Sequence, residues 1–380
     1  MIEKHKKIAI IGGGPGGLML ARLLQIKGWA VQVYERDASE QVRQQGATLD
    51  LHEESGLKAL AAAGLMDAFR KHYRPGAGKM RVADKQLQLY IDDHSSGTGF
   101  TESRPEIDRG PLRDLLIQSL APGTVVWDRQ FISMQQSQAG TGWRILFKNG
   151  SEAEAELVVA ADGANSKIRP YLSDIKPVYS NITMVEGNIY QAATQAPAMW
   201  SLVKGGKLFI LDEQKSIILS AKGDGTLTFY TGCKVPENWV GLSGVDFQDK
   251  QSVASWLKDT FTGWHPMLNE LVESEFSAIA RPMYHFENQQ WETRADLTLI
   301  GDAAHRMPPY AGEGVNMALL DALVLAENLG SDQFGSIQEA IGAYEREMLA
   351  RATEITQASL LNTVMLHGEN AIAEMQALMG

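Results

Sequence analysis

Three closely spaced glycines between an apolar strand and a helix constrain this chain more than any other feature of its sequence. The segment consists of a strand pattern at residues 7–11, the glycines Gly12, Gly14 and Gly17, a helix pattern at residues 15–27, and a second strand pattern at residues 30–34 followed by Glu35. This order predicts the opening β-α-β unit of a doubly wound parallel sheet. The glycines would let a pyrophosphate approach backbone N–H groups at the helix N-terminus, and Glu35 would bind the ribose hydroxyls of an adenosine. The unit therefore predicts a dinucleotide site, without separating NAD from FAD.

A second glycine-rich segment follows a short apolar strand pattern at residues 297–300. Its candidate cofactor-binding residues are Asp302, Pro309, Gly312, Gly314 and Asn316. A carboxylate at the end of a strand can accept hydrogen bonds from a ribityl hydroxyl, and the two glycines let N–H groups approach the edge of a ring. The helix that follows favours negative charge at its N-terminus, such as that of a reduced flavin. NAD has neither a ribityl chain nor such a ring, so this segment favours FAD.

A third segment repeats the strand-to-glycine theme. Residues 157–161 form a buried strand pattern that ends in Asp162-Gly163 and leads into Ser166-x-x-Arg169. Taken alone, the segment is more typical of an ordinary strand-to-helix turn than of a functional site.

Together the three segments resemble the group A flavoprotein monooxygenases, the family built like para-hydroxybenzoate hydroxylase. Within that family the chain is most similar to the tetracycline-inactivating monooxygenases. The supporting stretches are residues 33–37, 46–52, 105–109, 126–129 and 301–316, together with the closing helix. The resemblance implies that NADPH reduces FAD and that a C4a-hydroperoxyflavin transfers oxygen to a polycyclic or aromatic small molecule.

The resemblance also implies roles for individual residues. Glu35 and Arg36 would hold the adenosine, Asp50 and Arg109 would contact the cofactor, Asp302 would bind the ribityl chain, Arg43 would help to bind NADPH, and Pro309 and Gly312 would lie where flavin meets substrate. No protein side chain is assigned as a catalytic acid or base, because the flavin performs the chemistry. His305 is interpreted as a structural histidine beside a capped turn.

Three residues of the second domain align with the substrate-binding residues of the tetracycline enzymes. Glu186, Lys207 and Thr228 stand where those enzymes have Gln, Arg and His. Lysine keeps the charge of arginine but loses its planar fork, and threonine lacks the reach of an imidazole. A polycyclic or aromatic substrate is therefore expected, with tetracyclines as candidates.

Two alternative functions remain open. A flavin-dependent halogenase would carry a Trp-x-Trp-x-Ile-Pro run, and none of the eight tryptophans lies in one. The other alternative is a non-catalytic protein that keeps bound flavin and sequesters a drug. The intact segment around Gly312 argues only weakly against it.

Charge and cysteine content exclude several other classes. The net charge is −11 without any block of Lys and Arg, which argues against nucleic-acid and anionic-membrane partners. The single cysteine, Cys233, excludes an intrachain disulfide and a CxxC redox pair. The eight histidines show no metal-binding spacing, so no metal site is predicted. We expect a cytoplasmic protein, which the family resemblance suggests is a monomer, with a small molecule and O2 as its partners.

The predicted fold class is α/β, with a Rossmann-like FAD-binding domain, a second mixed α/β substrate domain and a long C-terminal bridging helix. The FAD-binding domain is assigned to residues 1–73, 100–180 and 278–330, the substrate domain to residues 74–99 and 181–277, and the C-terminal helix to residues 336–378. The last helix should begin at a capping box of Ser336 and Glu339, with Gly368 as a possible stop. We further expect a helix at residues 61–73, a strand over residues 81–92, and a helix N-cap at Asp108.

Overall fold

The strands in the described part of the chain form two large sheets and two small ones. The computed structural model describes residues 6–41, 48–95, 103–137, 142–287 and 289–379. The strands are β1 (Ile8–Ile11), β2 (Val31–Tyr34), β3 (Leu49–Asp50), β4 (Met80–Ala83), β5 (Leu89–Asp92), β6 (Glu106–Ile107), β7 (Val125–Val126), β8 (Phe131–Gln136), β9 (Trp143–Phe147), β10 (Glu152–Ala155), β11 (Leu157–Ala160), β12 (Val178–Ile189), β13 (Lys207–Asp212), β14 (Lys215–Ala221), β15 (Leu227–Lys234), β16 (Phe276–His285) and β17 (Leu297–Leu299).

Helices connect these strands and close the chain. They are α1 (Pro15–Ile26), α2 (Lys58–Ala62), α3 (Met66–His72), α4 (Arg109–Gln118), α5 (Ala192–Gln195), α6 (Pro197–Val203), α7 (Trp239–Leu242), α8 (Lys250–Thr260), α9 (Asn269–Glu273), α10 (Asp302–His305), α11 (Gly314–Leu329), α12 (Ile337–Leu366) and α13 (Ala371–Met379). A π-helical turn lies at Glu53–Leu57, and short 3₁₀ turns lie at Arg169–Tyr171, Pro266–Leu268 and Pro309–Ala311.

The five-stranded sheet is parallel throughout and has the order β17-β11-β1-β2-β7. Strands β1 and β11 are buried at every position. Short, wholly apolar runs suit such strands, since parallel sheets are covered on both faces. Ile11 pairs with Ala160, and Ala160 pairs with Leu299. The three glycine-containing segments of the sequence therefore follow neighbouring strands and meet at one edge of the sheet, as expected for a doubly wound fold.

The seven-stranded sheet is mixed and has the order β16-β12-β15-β14-β13-β4-β5. One face packs on α6, α8 and α9 through a cluster that includes Met199, Val253, Leu271 and Phe229. Residues that alternate with this cluster along the strands point to the other face. The predicted domain boundaries at 180/181 and 277/278 fall inside β12 and β16, so each of these strands begins or ends beyond the range assigned to the substrate domain.

Residues 336–378 contain two helices instead of the single helix assigned to them, and the first helix stops before Gly368, as predicted. Helix α12 ends at Leu366, the Gly368 N–H group donates to the carbonyl of Met365, and α13 follows as a separate helix. A Cβ on Gly368 would lie 3.2 Å from the carbonyl oxygen of Met365, so glycine suits this close approach to the last turn. The start of α12 agrees with the predicted capping box, because Ser336 Oγ accepts a hydrogen bond from Glu339 N at 3.2 Å.

Three local predictions also need correction. The helix expected at residues 61–73 is interrupted around Gly64, which separates α2 from α3. Residues 81–92 form a hairpin of β4 and β5 instead of one strand. Asp108 stands at the N-cap of α4, but its side chain does not cap that helix and accepts a hydrogen bond from Gly223 N at 2.9 Å.

Neither a bilayer-spanning helix nor a metal cluster is found in the part of the chain that the structure describes. No helix there combines the length and the hydropathy needed to cross a membrane. No three His, Cys, Asp or Glu side chains there are grouped as a metal site would require.

Candidate functional site

The glycines after β1 leave open the space that a phosphate-binding turn requires. Gly12 has φ of +115°, and a Cβ at this position would lie 2.2 Å from the carbonyl oxygen of Ala161. A Cβ on Gly17 would lie 2.1 Å from the carbonyl oxygen of Gly12. A Cβ on Gly14, by contrast, would meet nothing within 4 Å. Gly12 and Gly17 are thus required by the fold, while Gly14 borders open space in front of the α1 N-terminus, where unpaired N–H groups favour an anion.

Glu35 is buried at the end of β2 and is anchored by backbone groups. Its Oε2 accepts a hydrogen bond from Gly13 N at 2.5 Å, and its Oε1 accepts one from Asp37 N at 3.0 Å. A carboxylate has about four acceptor positions, so both oxygens can still accept from ribose hydroxyls. Arg36 beside it and Arg109, the first residue of α4, are both exposed. The residues present fit the adenosine half of FAD.

Two aspartates stand at the same edge of the parallel sheet. Asp162 Oδ2 accepts a hydrogen bond from Lys167 N at 2.9 Å, whereas its Oδ1 is buried with no partner among the described residues. Burial raises the pKa of the Asp162 carboxyl. Asp302 is exposed at the start of α10, and its Oδ1 lies 3.9 Å from the place of a Cβ on Gly314. The edge therefore offers carboxylate acceptors next to the glycines, which fits a cofactor rich in hydroxyl groups.

The loop before α11, residues 309–314, is held by the amide of Asn316. We call this segment the flavin loop. Gly312 within it has φ of +70°. Asn316 Nδ2 donates to the carbonyl oxygens of Asp50 and Gly312, and Asn316 Oδ1 accepts from His52 N at 3.0 Å. Asn316 is fully buried, so it acts on the loop instead of presenting its side chain to a ligand.

Asp50, His52 and Glu313 form a charged cluster against the flavin loop. His52 Nε2 lies 3.0 Å from Asp50 Oδ2, and His52 Nδ1 lies 3.1 Å from Glu313 Oε1. Burial disfavours the charged imidazole, but the hydrogen bonds to the two carboxylates outweigh it and raise the pKa of His52 to about 9. Burial likewise opposes ionisation of Asp50, yet the hydrogen bond from His52 and the charge of Lys207 lower its pKa.

The strand register places two of the three predicted substrate residues in one polar row. Asn188 pairs with Thr228, Thr228 with Ser220, and Ser220 with Lys207, so these four side chains share one face of the seven-stranded sheet. Thr228 Oγ1 donates to Asn188 Oδ1 at 2.8 Å. Ser220 Oγ lies 3.2 Å from Thr48 Oγ1, which connects the row to the strand that carries Asp50.

The third predicted substrate residue, Glu186, lies in the next row of the same face. It pairs with Tyr230, which pairs with Ile218, which pairs with Phe209. Phe209, Ile218 and Tyr230 are only half-buried.

Tyr310 of the flavin loop packs in the same apolar clusters as Phe209 and Tyr230. The flavin loop therefore packs against this face of the sheet, which carries both rows.

Lys207, a predicted substrate residue, and Arg281, a neighbour of Glu186, are each paired with an acid. Lys207 Nζ lies 2.5 Å from Oε1 of the buried Glu106, and Arg281 Nε lies 2.7 Å from Glu186 Oε2. Burial opposes the charge on Lys207, but Glu106 and Asp50 outweigh it and raise the pKa of Lys207. The polar row therefore ends in a lysine whose charge is already compensated.

His305 is far more buried than a proton-transfer residue would need to be. Its Nε2 lies 2.6 Å from Asp321 Oδ2, and both side chains are fully buried. Asp321 also accepts hydrogen bonds from Gly301 N and Arg351 Nη2. Burial opposes ionisation of Asp321, but His305 and Arg351 lower its pKa. This network supports the structural interpretation of His305.

Several residues of the site could not be given a role from the sequence. Asn188, Ser220, Glu106, His52 and Glu313 contribute side chains that only strand register and long-range contacts bring together. The Thr-Leu-Asp-Leu-His run around Asp50 is part of the family resemblance, but sequence spacing alone does not connect His52 with Glu313. Arg43, predicted to bind NADPH, lies outside the described residues.

Comparisons with known proteins agree with this architecture. Residues 5–359 match a family model described as FAD binding domain. The monooxygenase penA of Penicillium thymicola is 26% identical over 420 residues, which span 96% of each chain. The 6-hydroxynicotinate 3-monooxygenase of Pseudomonas fluorescens is 26% identical over 391 residues, which span 97% of this chain and 94% of the relative.

Two solved structures share the fold over almost the whole chain. HpxO of Klebsiella pneumoniae, complexed with FAD and uric acid, has a TM-score of 0.77 at 21% identity and covers 98% of this chain and 92% of its own. The tetracycline destructase Tet(55) has a TM-score of 0.78 at 19% identity, with coverage of 100% of this chain and 96% of its own.

Proposed function

Because the chain belongs to the FAD binding domain family and is an FAD-dependent monooxygenase, we propose that it consumes NADPH and hydroxylates a neutral polycyclic or aromatic small molecule. The single observation that carries the substrate proposal is the face of the seven-stranded sheet opposite the flavin loop. There, a polar row of amide and hydroxyl groups runs beside an apolar row of half-buried side chains.

The charges around this face favour a neutral substrate. Lys207 is paired with Glu106, and Arg281 is paired with Glu186, so the positive charge that either would offer to a substrate carboxylate is already compensated. Drawing Lys207 away from the buried Glu106 would cost roughly 2–5 kcal/mol, whereas the half-exposed pair of Arg281 and Glu186 is screened by solvent and is worth less. Phenolic hydroxyls and carboxamides, by contrast, can hydrogen-bond to Asn188 and Ser220 without such a cost.

Bound FAD would supply the electron transfer and the activation of O2. Protein side chains have the tasks of binding and positioning. Glu35 and Asp302 offer acceptors to the hydroxyls of the cofactor, and the flavin loop presents backbone groups at the side that faces the sheet. The apolar row around Tyr230 keeps water from the reacting carbon, and the polar row fixes which carbon is presented.

Tetracyclines are one candidate substrate of this kind. The fold shared with Tet(55) supports this choice, and so does the sequence resemblance. Glu186, Lys207 and Thr228 differ from the substrate residues of the tetracycline enzymes, so other hydroxylated polycycles are equally suited to the face.

The experiment is a substrate panel with purified, flavin-loaded protein. NADPH oxidation under air would be followed with tetracyclines, neutral phenolic polyketides and carboxylated phenols, and products would be identified by mass spectrometry with ¹⁸O₂. We expect labelled oxygen in a neutral polycycle and no turnover of carboxylated rings. Hydroxylation of carboxylated rings alone would overturn the charge argument, and bound flavin without turnover of any ligand would favour a drug-sequestering protein.

A substitution at Glu186 sharpens the test. Glu186→Gln frees Arg281, so we expect carboxylated rings to gain turnover relative to neutral ones. Glu154→Gln, on an exposed strand position of the small sheet, is the matched control and should leave both unchanged. An unaltered substrate preference in Glu186→Gln would contradict a role of this ion pair in selectivity.

A further inference from the structure

His52 joins two parts of the chain that lie 261 positions apart in numbering, at a buried point behind the flavin loop. Its two ring nitrogens face carboxylate oxygens on opposite sides, Asp50 Oδ2 at 3.0 Å and Glu313 Oε1 at 3.1 Å. A carboxylate can only accept, so an imidazole that bonds to both must donate from both nitrogens and carry a positive charge. Charge-assisted hydrogen bonds of this kind are about twice as strong as neutral ones.

The same two parts of the chain are joined a second time through Asn316. Its amide bonds to the carbonyls of Asp50 and Gly312 and to the N–H group of His52. The carboxylate oxygens of Asp50 lie 3.5 Å from the place of a Cβ on Gly312, so the charge of Asp50 is next to the flavin loop. Loss of the imidazolium would leave two carboxylates there without their shared cation.

We propose that His52 is a positioning residue for the flavin: it clamps the flavin loop through Glu313 and neutralises carboxylates that would repel the anionic edge of the cofactor ring. Asn316 holds the backbone of the loop, and His52 neutralises the carboxylates of Asp50 and Glu313 beside it. The proposal depends on FAD binding alone, so its test is independent of NADPH use and of the substrate.

Alkaline pH should release the clamp. Burial opposes the charge on His52, but the hydrogen bonds to Asp50 and Glu313 outweigh it and raise its pKa to about 9, above the usual 6.5. The contribution of His52 to loop order is thus complete below pH 6.5, largely retained at neutral pH and lost as pH rises through about 9. The charged groups that face it among the described residues are Asp50 and Glu313, with Arg104 opposing its charge and Lys207 acting through Asp50.

The experiment measures FAD binding to apoprotein by fluorescence titration from about pH 7 to about pH 10. Wild-type affinity should fall across the pKa of His52. His52→Gln should bind FAD about tenfold more weakly at neutral pH, as expected for the loss of a charged hydrogen-bonding partner, and should lose the alkaline step. His72→Gln, an exposed histidine of α3, is the matched control and should behave as wild type.

Two further variants separate the effect of charge from that of packing: Glu313→Gln alone, and Glu313→Gln combined with His52→Gln. Glu313→Gln removes one carboxylate that raises the pKa of His52, so the alkaline step should move to lower pH. Adding Glu313→Gln to His52→Gln should recover part of the lost affinity, because only one carboxylate then remains. The proposal is overturned if wild type shows no alkaline step, if the step stays in place in Glu313→Gln, or if the double variant binds FAD no better than His52→Gln.

Discussion

The edge of the parallel sheet and the face of the seven-stranded sheet build their halves of the site in different ways. At the edge, three segments with glycines follow the neighbouring strands β1, β11 and β17, and backbone groups anchor the key side chains. On the face, single side chains from β12, β13, β14 and β15 come together through register. The edge is made of local turns, and the face is made of long-range pairings.

This difference separates what a common cofactor requires from what a variable substrate requires. A turn that must admit a pyrophosphate allows few residue types, whereas a strand position on a half-open face accepts many without changing the fold. Substitutions at the edge should therefore abolish cofactor binding or folding, and substitutions on the face should alter selectivity while cofactor binding persists.

The largest effect is expected at Gly14. Gly14→Val should fold, since a Cβ there meets nothing within 4 Å, but it should purify without yellow colour because the side chain fills the pyrophosphate space. Absorbance spectra and circular dichroism would check both parts. Gly17→Ala is the comparison, in which the fold itself should suffer because the new Cβ meets a carbonyl oxygen at 2.1 Å. Retention of stoichiometric FAD by Gly14→Val would show that the pyrophosphate lies elsewhere.

A large effect on stability is expected from the buried charges behind the edge. Asp321→Ala removes the carboxylate that the buried His305 and Arg351 share as their partner. Breaking such a network costs about 3–5 kcal/mol of the free energy of unfolding. Urea denaturation would measure it, with Glu347→Gln, an exposed partner of the same arginine, as control. If Asp321→Ala lowered the free energy of unfolding no more than Glu347→Gln does, the network would not be an important source of stability at this edge.

The smallest effect is expected on the face. Thr228→Val preserves shape but leaves Asn188 Oδ1 without its hydroxyl donor. We expect FAD affinity to remain unchanged and KM for a hydroxylated substrate to change by about tenfold at most, the worth of one or two hydrogen bonds. Thr231→Val lies on the opposite face of the same strand and serves as control. Equal kinetic effects from both variants would contradict the assignment of the polar row to the substrate.

The same division explains how far the sequence predicts the structure. The first β-α-β unit was predicted to within a residue at each end because apolar strands, glycines and an amphipathic helix are all local signals. Strands β12 and β16 were not predicted as individual strands, because their buried and exposed positions mix polar and apolar residues. Asp108 shows what local patterns cannot predict. It occupies an N-cap position, but its carboxylate accepts a hydrogen bond from the N–H group of Gly223, more than a hundred residues away.

The candidate site divides in the same manner. Gly12, Gly14 and Asp302 could be chosen from strand-to-turn patterns, and the structure brings them to one edge together with Asp162, which its segment alone did not single out. Their contacts with the cofactor remain predictions. The pairing of Lys207 with Glu106 could not be anticipated, because it depends on how two separate sheets approach each other.

Helix α12 has a consequence for how the two halves can change. The helix is about 45 Å long, and Tyr344 on it donates a hydrogen bond to the carbonyl of Leu299 in the parallel sheet. Asn362 donates to the carbonyl of Tyr310 in the flavin loop, and Ser359 donates to that of Pro308 just before the loop. The adjoining His367 bonds to Ser216 of the mixed sheet. Through these attachments, α12 fixes the distance between the flavin loop and the seven-stranded sheet. A chimera that takes residues 178–285 from a relative should therefore also take residues 359–367. Otherwise we expect the distance between the flavin ring and the substrate to be wrong.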